Sequence, residues 1–326
     1  MLNRRYFIAR SAALTALPAL PLTALAQASW PNKPIRVVIP YAAGGVTDSV
    51  GRKLIEQIAQ SLGQAMVVEN KGGAGGTVGM AEVAKAAPDG YTLALTAISP
   101  LTLSPHLMKL NYAPSKDFVA VAPMMYSPVY VLATPAYAGA SWEALLADAK
   151  AKPGTIRFAT SGVGSVGHIM LEHIQQQTGA QFIHVPYKGV GQTVNDAVGG
   201  HFEIMTANPF GTINGLIAQG KLRVLATTGP QRAPNQPQVA TLAEKGVPQA
   251  NITSLFGFIA PAHTPADIVN RLNAVVQTQL ATPAIQEAMR STDNVALHMT
   301  PQEFTQLLQL ESSNNADIIR KAKITL

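Results

Sequence analysis

Short apolar runs and helix-spaced apolar residues alternate along the first half of the chain. The β-branched run Ile35–Ile39 predicts a buried strand, because it is short and a proline follows it. After a turn with two glycines, apolar residues recur every four positions over residues 50–62 and predict an amphipathic helix. Thr47 or Asp48 is the expected N-cap of this helix, and Gly63 is the expected stop.

The same strand–helix alternation continues through most of the chain. Repeated β-α-β units are typical of parallel sheets with helices on both faces. The predicted fold class is therefore α/β, with two lobes that are each a mostly parallel sheet flanked by helices. Since no linker separates the lobes, we expect the chain to cross between them more than once. Residues 29–127 and 228–326 are assigned to lobe one, and residues 128–227 to lobe two. Further strands are expected at 65–69, 91–96, 156–160, 182–187, 202–207, 222–227 and near 295, and further helices at 77–86, 142–150, 165–178, 193–198, 211–219, 265–281, 283–291 and 301–321.

The first 28 residues have the pattern of an export signal. Arg4, Arg5 and Arg10 precede an uncharged apolar stretch of residues 12–25, and small residues offer cleavage after Ala26 or Ala28. This stretch is shorter than the roughly 20 residues of a membrane span. An uncleaved anchor or a buried helix is the alternative. Residues 3–8 resemble a twin-arginine signal, with Sec export left open, and the expected location is the periplasm.

Composition excludes several classes of protein. With 47% hydrophobic and 13% charged residues in 326, the chain can bury a large core and is not disordered in bulk. It has no cysteine, which rules out disulfides and thiolate metal sites. The net charge of +6 falls to +3 without the three signal arginines, and the other basic residues are scattered, so no nucleic-acid partner is expected. The histidines and acidic residues show no metal-ligand or acid–base spacing, so neither metal nor cofactor is expected.

Two glycine-containing loops join a strand to a helix N-terminus, where free N–H groups and the helix dipole suit an anion. The first is the segment 43–48, in which Asp48 is expected to act as a cap or to meet an amino group. The second, 161–165 with His168, matches the dinucleotide pattern GxGxxG but lacks the acidic residue after the next strand. A small-anion cradle is therefore favoured over a nucleotide, and a plain glycine turn is the alternative in both loops. The glycine segment 72–76 is a third such loop before a helix, and two interpretations stay open: it lines the same cleft as the other two loops, or it is only a flexible turn.

Taken together, several segments make the chain resemble the Bug family, the periplasmic solute-binding proteins of tripartite tricarboxylate transporters. The resemblance covers essentially the whole length. It departs from the usual family pattern at Ala43, where proline is common, and at Lys71 and Gly72, where arginine and proline are common. The segments that carry it are Trp30-Pro31, Lys33 to Val38, Gly44 to Asp48, Val68 to Gly76, Pro88 to Leu93, Ser161 to Ser165 with His168, His184 to Gly189, Gly257-Phe258, Ala260-Pro261 and Thr264-Pro265.

The resemblance implies a type II-like "Venus flytrap" that closes on a small carboxylate, held by backbone amides and ordered water from one loop in each lobe. Side chains at variable positions, with Phe210 among them, would contact the rest of the ligand. The candidate ligand-binding residues are Tyr41, Ala43, Gly44, Gly45, Val46, Thr47, Asp48, Thr96, Ser99, Ser161, Gly162, Val163, Gly164, Ser165, His168, Tyr187 and Asn208.

The predicted function is a non-catalytic, monomeric periplasmic receptor that presents a small carboxylate to inner-membrane transporter subunits. One alternative is a ligand-binding adaptor for a sensor kinase ectodomain. Another is an exported α/β enzyme that uses Ser161, Ser165 or a nucleotide.

Overall fold

A computed structural model describes residues 30–322, so the predicted signal at residues 1–28 lies outside the described part of the chain. Two β-sheets organise this part. The first sheet contains β1 (Ile35–Ile39), β2 (Met66–Asn70), β3 (Thr92–Ala97), β4 (Phe118–Ser127), β10 (Ser254–Pro261) and β11 (Val295–Ala296). The second contains β5 (Tyr130–Ala133), β6 (Ile156–Thr160), β7 (Phe182–Pro186), β8 (Ile204–Ala207) and β9 (Arg223–Ala226).

Helices flank both sheets, which confirms the predicted two-lobed α/β fold. Within residues 30–322, no helix is long and apolar enough to cross a membrane. The helices are α1 (Val46–Leu62), α2 (Thr77–Val83), α3 (Ser99–Thr102), α4 (Pro114–Asp117), α5 (Trp142–Ala151), α6 (Val166–Thr178), α7 (Val190–Val198), α8 (Gly211–Ala218), α9 (Ala266–Leu280), α10 (Pro283–Arg290) and α11 (Pro301–Ala322).

Each sheet is parallel at one end and antiparallel at the other, which corrects the expectation of mostly parallel sheets. In the order β11-β4-β10-β3-β1-β2, only β1 pairs in parallel, with β2 and β3. In the order β7-β6-β8-β5-β9, only β6 does so, with β7 and β8. The antiparallel strands carry the chain out of one lobe and back. Because the outgoing and returning strands run in opposite directions and lie side by side, they pair antiparallel.

The two crossings lie next to each other and form the hinge. The chain leaves the first sheet at Ser127, enters the second at Tyr130 and re-enters the first at Ser254, which pairs with Ser127. The Val129 N–H donates at 2.8 Å to Thr228 Oγ1, two residues after β9. Beyond residue 228, Leu242 and Val247 still pack in the core of the second sheet. The lobe boundaries at residues 127 and 228 therefore stay a prediction.

The parallel part of each lobe is the same β-α-β unit, β1-α1-β2 and β6-α6-β7. The apolar side chains that predicted α1 are buried in the core beside β1 and β3. Each such side chain contributes about 1.5–3 kcal/mol by leaving water. Left-handed Gly63 and Gly179, at φ 68° and 73°, end α1 and α6.

Candidate ligand-binding site

The first predicted loop leaves a set of unpaired amides at the start of α1. The helix begins at Val46 with Gly45 as N-cap, so the predicted N-cap at Thr47 or Asp48 is wrong. Gly45 has no side chain that could cap the helix, and the first backbone bond of the helix is Ser49 N–H to Gly45 O at 2.8 Å. Within the described chain, the N–H groups of Val46, Thr47 and Asp48 meet no protein acceptor. These groups are free to bind an anion.

The Asp48 carboxylate is bonded within its own lobe. It accepts hydrogen bonds from Gly44 N–H at 3.0 Å, Arg52 Nε at 2.9 Å and Asn70 Nδ2 at 3.0 Å. Burial alone would raise the pKa of Asp48, but the bonds from Arg52, Gly44 and Asn70 outweigh it and lower that pKa. The Asp48 carboxylate thus fixes the conformation of the first loop, and the Arg52 guanidinium compensates the charge of that carboxylate.

The second loop presents free amides at the start of α6 in the other lobe. Ser165 is the N-cap, and its Oγ accepts the His168 N–H at 3.3 Å. Gly164 N–H donates to His168 Nδ1 at 3.3 Å, while Gly162 N–H donates to Thr160 Oγ1 at 3.2 Å. Among the described residues, the amides of Val166 and Gly167 meet no acceptor.

Both helix starts line one cavity between the lobes. Among the residues of this wall that the structure describes, Asp48 is the one with a formal charge, and none is a lysine, arginine or histidine. The attraction for an anion therefore comes from the free amides and the two helix dipoles, each equivalent to about half a positive charge. The wall consists of Tyr41, Ala42, Gly45, Val46, Thr47, Asp48, Ala97, Ser99, Ser254 and Phe256 from lobe one, and of Val129, Ser161, Ser165, Val166, Gly167, Val190, Thr206, Ala207 and Asn208 from lobe two.

Comparison with known protein families matches residues 50–324 to the model of the tripartite tricarboxylate transporter family receptor. The chain belongs to this receptor family. It is 35% identical to the UPF0065 protein in the gbd 5′ region of Cupriavidus necator, over 98% of both chains. It is also 34% identical to BugT of Bordetella pertussis, over 90% of both chains. The predicted Bug family resemblance is confirmed, and the receptor is a solute-binding protein of the periplasm.

Solved structures of receptors with this fold superpose closely on the chain. A periplasmic transporter structure, 36% identical, has a TM-score of 0.87 and covers 91% of this chain and 99% of its own. An R. palustris protein solved with adipate is 27% identical, with a TM-score of 0.86 and coverages of 91% and 99%. MatC from Rhodopseudomonas palustris, solved with bound malate, is 29% identical, with a TM-score of 0.83 and coverages of 89% and 99%.

In this receptor, nine of the seventeen candidate residues line the cavity. The sequence prediction missed the other ten residues of the wall, among them Ser254 and Phe256 on β10, for which no strand was predicted, and Val166 and Gly167 with their free amides. The free amides could have been predicted from the expected start of α6, because the first N–H groups of a helix have no acceptor within the helix. The nine that line the cavity are Tyr41, Gly45, Val46, Thr47, Asp48, Ser99, Ser161, Ser165 and Asn208.

The other eight candidates lie outside the cavity wall. Ala43 and Gly44 form the turn before α1, and Gly162, Val163 and Gly164 form the turn before α6.

Thr96, Tyr187 and His168 are engaged in contacts within the protein. The Thr96 hydroxyl donates to Ala97 O at 2.8 Å, and the Tyr187 hydroxyl donates to Asp196 at 2.6 Å. Phe210, also considered from the sequence, is buried in the core.

The ring of His168 stabilises the second loop. Its ring stacks on His184 with centroids 4.2 Å apart and planes at 10°, and His184 Nε2 lies 2.8 Å from Thr160 Oγ1. Burial lowers the pKa of His168 to about 4, and burial together with His168 lowers that of His184 to about 4. Both rings are therefore neutral at pH 7, as the acceptor role of His168 Nδ1 requires.

The facing loops of the two lobes touch each other, so the structure shows the closed arrangement of the lobes. Ala42 N–H of lobe one donates to Lys188 O of lobe two at 3.4 Å. A Cβ added to Gly191 would lie 1.9 Å from Ala43 O, and one added to Gly75 would lie 2.4 Å from Val163 O. Backbone approaches backbone here because glycine leaves room for it.

Proposed function

We propose that this receptor captures a small carboxylate between its lobes and presents it, in the closed form, to the membrane subunits of a tripartite transporter. One observation carries the proposal: two helix N-termini with free amides, one from each lobe, line the same cavity. Hydrogen bonds to a charged group contribute about 1.5–3 kcal/mol each, so a few of them support micromolar binding, near −8 kcal/mol.

The related proteins solved with ligands agree with this chemistry. Adipate and malate, the ligands of the two R. palustris structures, are both small carboxylates. The cavity lies between the lobes and is lined by residues of both. Its charge balance fits an anion, because the one carboxylate of the wall, Asp48, is paired with Arg52.

The geometry of the serines and histidines supports binding without catalysis. The Ser165 hydroxyl accepts the N–H of residue 168 as a helix cap, and the ring Nδ1 of His168 accepts the Gly164 N–H. Neither side chain is arranged as a nucleophile with its base. In the described range 30–322, no three histidine, aspartate or glutamate side chains come together as a metal site.

The experiment is a screen of C3–C8 mono- and dicarboxylates against the purified protein, with thermal unfolding and small-angle scattering as readouts. A ligand present at a concentration of 100 times its Kd should raise the free energy of unfolding by about 2.7 kcal/mol. The same ligand should make the scattering profile more compact. Stabilisation without any change in compactness would contradict capture between lobes. Chemical conversion of the bound compound, lost in Ser165→Ala, would establish the exported enzyme instead.

The membrane partner is tested by deletion and complementation. Loss of uptake of the identified carboxylate in a deletion strain, restored by the gene, supports a transporter subunit as partner. Unchanged uptake, together with a lost transcriptional response to the same compound, would support a sensor kinase. Size-exclusion chromatography with light scattering tests the expected monomer.

A further inference from the structure

The loop between α10 and β11 connects the two lobes by hydrogen bonds. This loop, residues 291–294, belongs to lobe one and is here called the hinge clasp. Its backbone is fixed to its own lobe, because the N–H groups of Thr292 and Asn294 donate to Met289 O, near the end of α10, at 3.0 and 2.9 Å. Asp293 between them has a φ of 55°, a left-handed conformation that is unfavourable for a residue with a Cβ. The hinge clasp is therefore a fixed and strained turn.

One contact between the clasp and lobe two is a buried bond to the Asp293 carboxylate. The hydroxyl of Tyr130, the first residue of β5, donates to one carboxylate oxygen, and the Asn235 N–H donates to the other at 2.9 Å. Tyr130 and Asp293 are both buried. Burial and the bond to Asp293 raise the pKa of Tyr130, so its hydroxyl stays protonated as the donor. Because Tyr130 lies directly after the first crossing between the lobes, this contact marks the pivot of the hinge.

Other contacts of the clasp lie away from the crossing segments. Asn294 Nδ2 donates to Pro209 O, in the loop between β8 and α8, at 3.2 Å. Asn214 Nδ2, in α8, donates to Ser291 O at 3.3 Å. Strand β8 is one strand spacing, about 4.8 Å, from β5, so a rotation of about 20° around β5 moves it by about 1.7 Å. A displacement of this size exceeds the range of a hydrogen bond, so opening of the lobes breaks these contacts.

The segments that the clasp holds also build the solute cavity. Tyr130 follows Val129, and Pro209 follows Asn208, and both Val129 and Asn208 line the cavity. The two segments are also tied to each other, since Asn208 Nδ2 donates to Pro128 O at 2.9 Å. In both segments, the clasp therefore holds the residue next to one that lines the cavity.

We propose that the hinge clasp forms when the lobes close, and that Asn294 and Asn214 thereby act as positioning residues for solute binding from outside the cavity wall. The clasp and a solute that bridges the lobes favour the same arrangement, so each bond that forms on closure adds to the affinity for the solute. When the lobes open, these bonds are exchanged for bonds to water, which keeps the net contribution of each bond small and closure reversible. This inference rests on the proposed function, since it takes a carboxylate bound between the lobes as the solute.

The test uses the full chain with Asn214→Ala, Asn294→Ala and the matched control Asn273→Ala. Like Asn214, Asn273 is a helical asparagine whose Nδ2 donates to backbone carbonyl groups, but its acceptors, at 2.8 and 3.0 Å, lie in its own lobe. These acceptors are Val121 O and Met299 O. Calorimetry with the C3–C8 carboxylates of the screen should give a Kd about 2- to 12-fold higher for each clasp variant than for the wild type. The Kd of Asn273→Ala should be unchanged.

Urea unfolding without solute separates closure from ordinary stability. Asn273→Ala should lower the free energy of unfolding, because its bonds are present in every arrangement of the lobes. Asn214→Ala should not lower it, since its bond forms only on closure and alanine is favourable in a helix. A loss of stability in Asn214→Ala equal to that in Asn273→Ala, or an unchanged Kd in both clasp variants, would overturn the proposal.

The two measurements also distinguish failure of the clasp from failure of the proposed function. If no carboxylate binds to the wild type, the proposed function fails, and the urea measurement, which needs no solute, still decides whether the clasp forms only on closure. If carboxylates bind to the wild type and to the clasp variants with equal Kd, only the hinge clasp fails.

Discussion

Gly191→Ala should separate closure from folding. Gly191 lies in α7 of lobe two, and a Cβ at this position would be 1.9 Å from the carbonyl oxygen of Ala43 in lobe one. Ordinary contact begins near 3.4 Å, so the lobes must part by about 1.5 Å at this point. The backbone of Ala43 cannot easily give way, because the next N–H, that of Gly44, is bonded to Asp48.

The size of the expected change in ligand affinity follows from two opposing effects of the added methyl group. Within a helix, alanine is about 1 kcal/mol more favourable than glycine, so lobe two itself should keep or gain stability. The clash in the closed state costs about 1–3 kcal/mol, as overpacking usually does. Since the ligand binds by bridging the lobes, this cost appears in the affinity, as a loss of roughly 5- to 150-fold.

Calorimetry with the tightest carboxylate of the screen measures the affinity, and small-angle scattering measures compactness. Gly215→Ala in α8 is the control, since it is also a helical glycine and a Cβ there would meet no atom within 4 Å. The control should bind as the wild type does. If Gly191→Ala binds with unchanged affinity and becomes as compact as the wild type, the lobes do not meet at this contact.

Three further predictions concern the charges and rings behind the two loops. Arg52→Met leaves the Asp48 carboxylate unpaired beside the bound anion, so calorimetry should show affinity about tenfold lower, with most of it recovered by adding Asp48→Asn; an unchanged affinity would contradict the role of Arg52. His168→Phe keeps the stack on His184 but leaves the Gly164 N–H without an acceptor, which should cost about 1–3 kcal/mol in urea unfolding; an unchanged free energy of unfolding would disprove the acceptor role. Because burial lowers the pKa of His168 to about 4 in the fold, the unfolded chain binds the proton first as pH falls, so stability should decline between about pH 6.5 and 4, by up to roughly 3 kcal/mol from this ring; a urea series showing the same pH dependence in His168→Asn would rule out this ring as the cause.

Sequence patterns identified the β-α-β units because their signals are local. Strand β6 lies at the predicted residues 156–160, and α6 differs from its predicted span by one residue. Of the antiparallel strands that carry the chain between the lobes, β4, β5 and β10 were missed, whereas β9 was predicted. Strand β4 is almost continuously apolar and contains Pro123, which argues against a central strand. Its irregular pairing with β10 at this proline is a long-range contact that periodicity does not reveal.

The candidate site likewise has parts that the sequence predicts and parts that it does not. A strand, glycines and a helix start follow one another along the chain, so both loops could be predicted from the sequence. The pairing of Asp48 with Asn70 and the stacking of His168 on His184 join residues that are distant in sequence. Ser254 and Phe256 enter the cavity on a strand that the sequence analysis did not assign. Local order thus predicts where an anion binds, whereas the cavity wall depends on the tertiary fold.

No cationic side chain lines the cavity within residues 30–322, and this has a consequence for release of the solute. An arginine on one lobe would hold a carboxylate in the open form as well, and a ligand shifts the equilibrium only by its difference in affinity for the two forms. Here each lobe contributes one helix N-terminus, equivalent to about half a charge, so neither lobe alone completes the site. Closure brings the two halves together, and opening separates them again. A site divided in this way couples solute binding to closure and lets the opened receptor give up its solute.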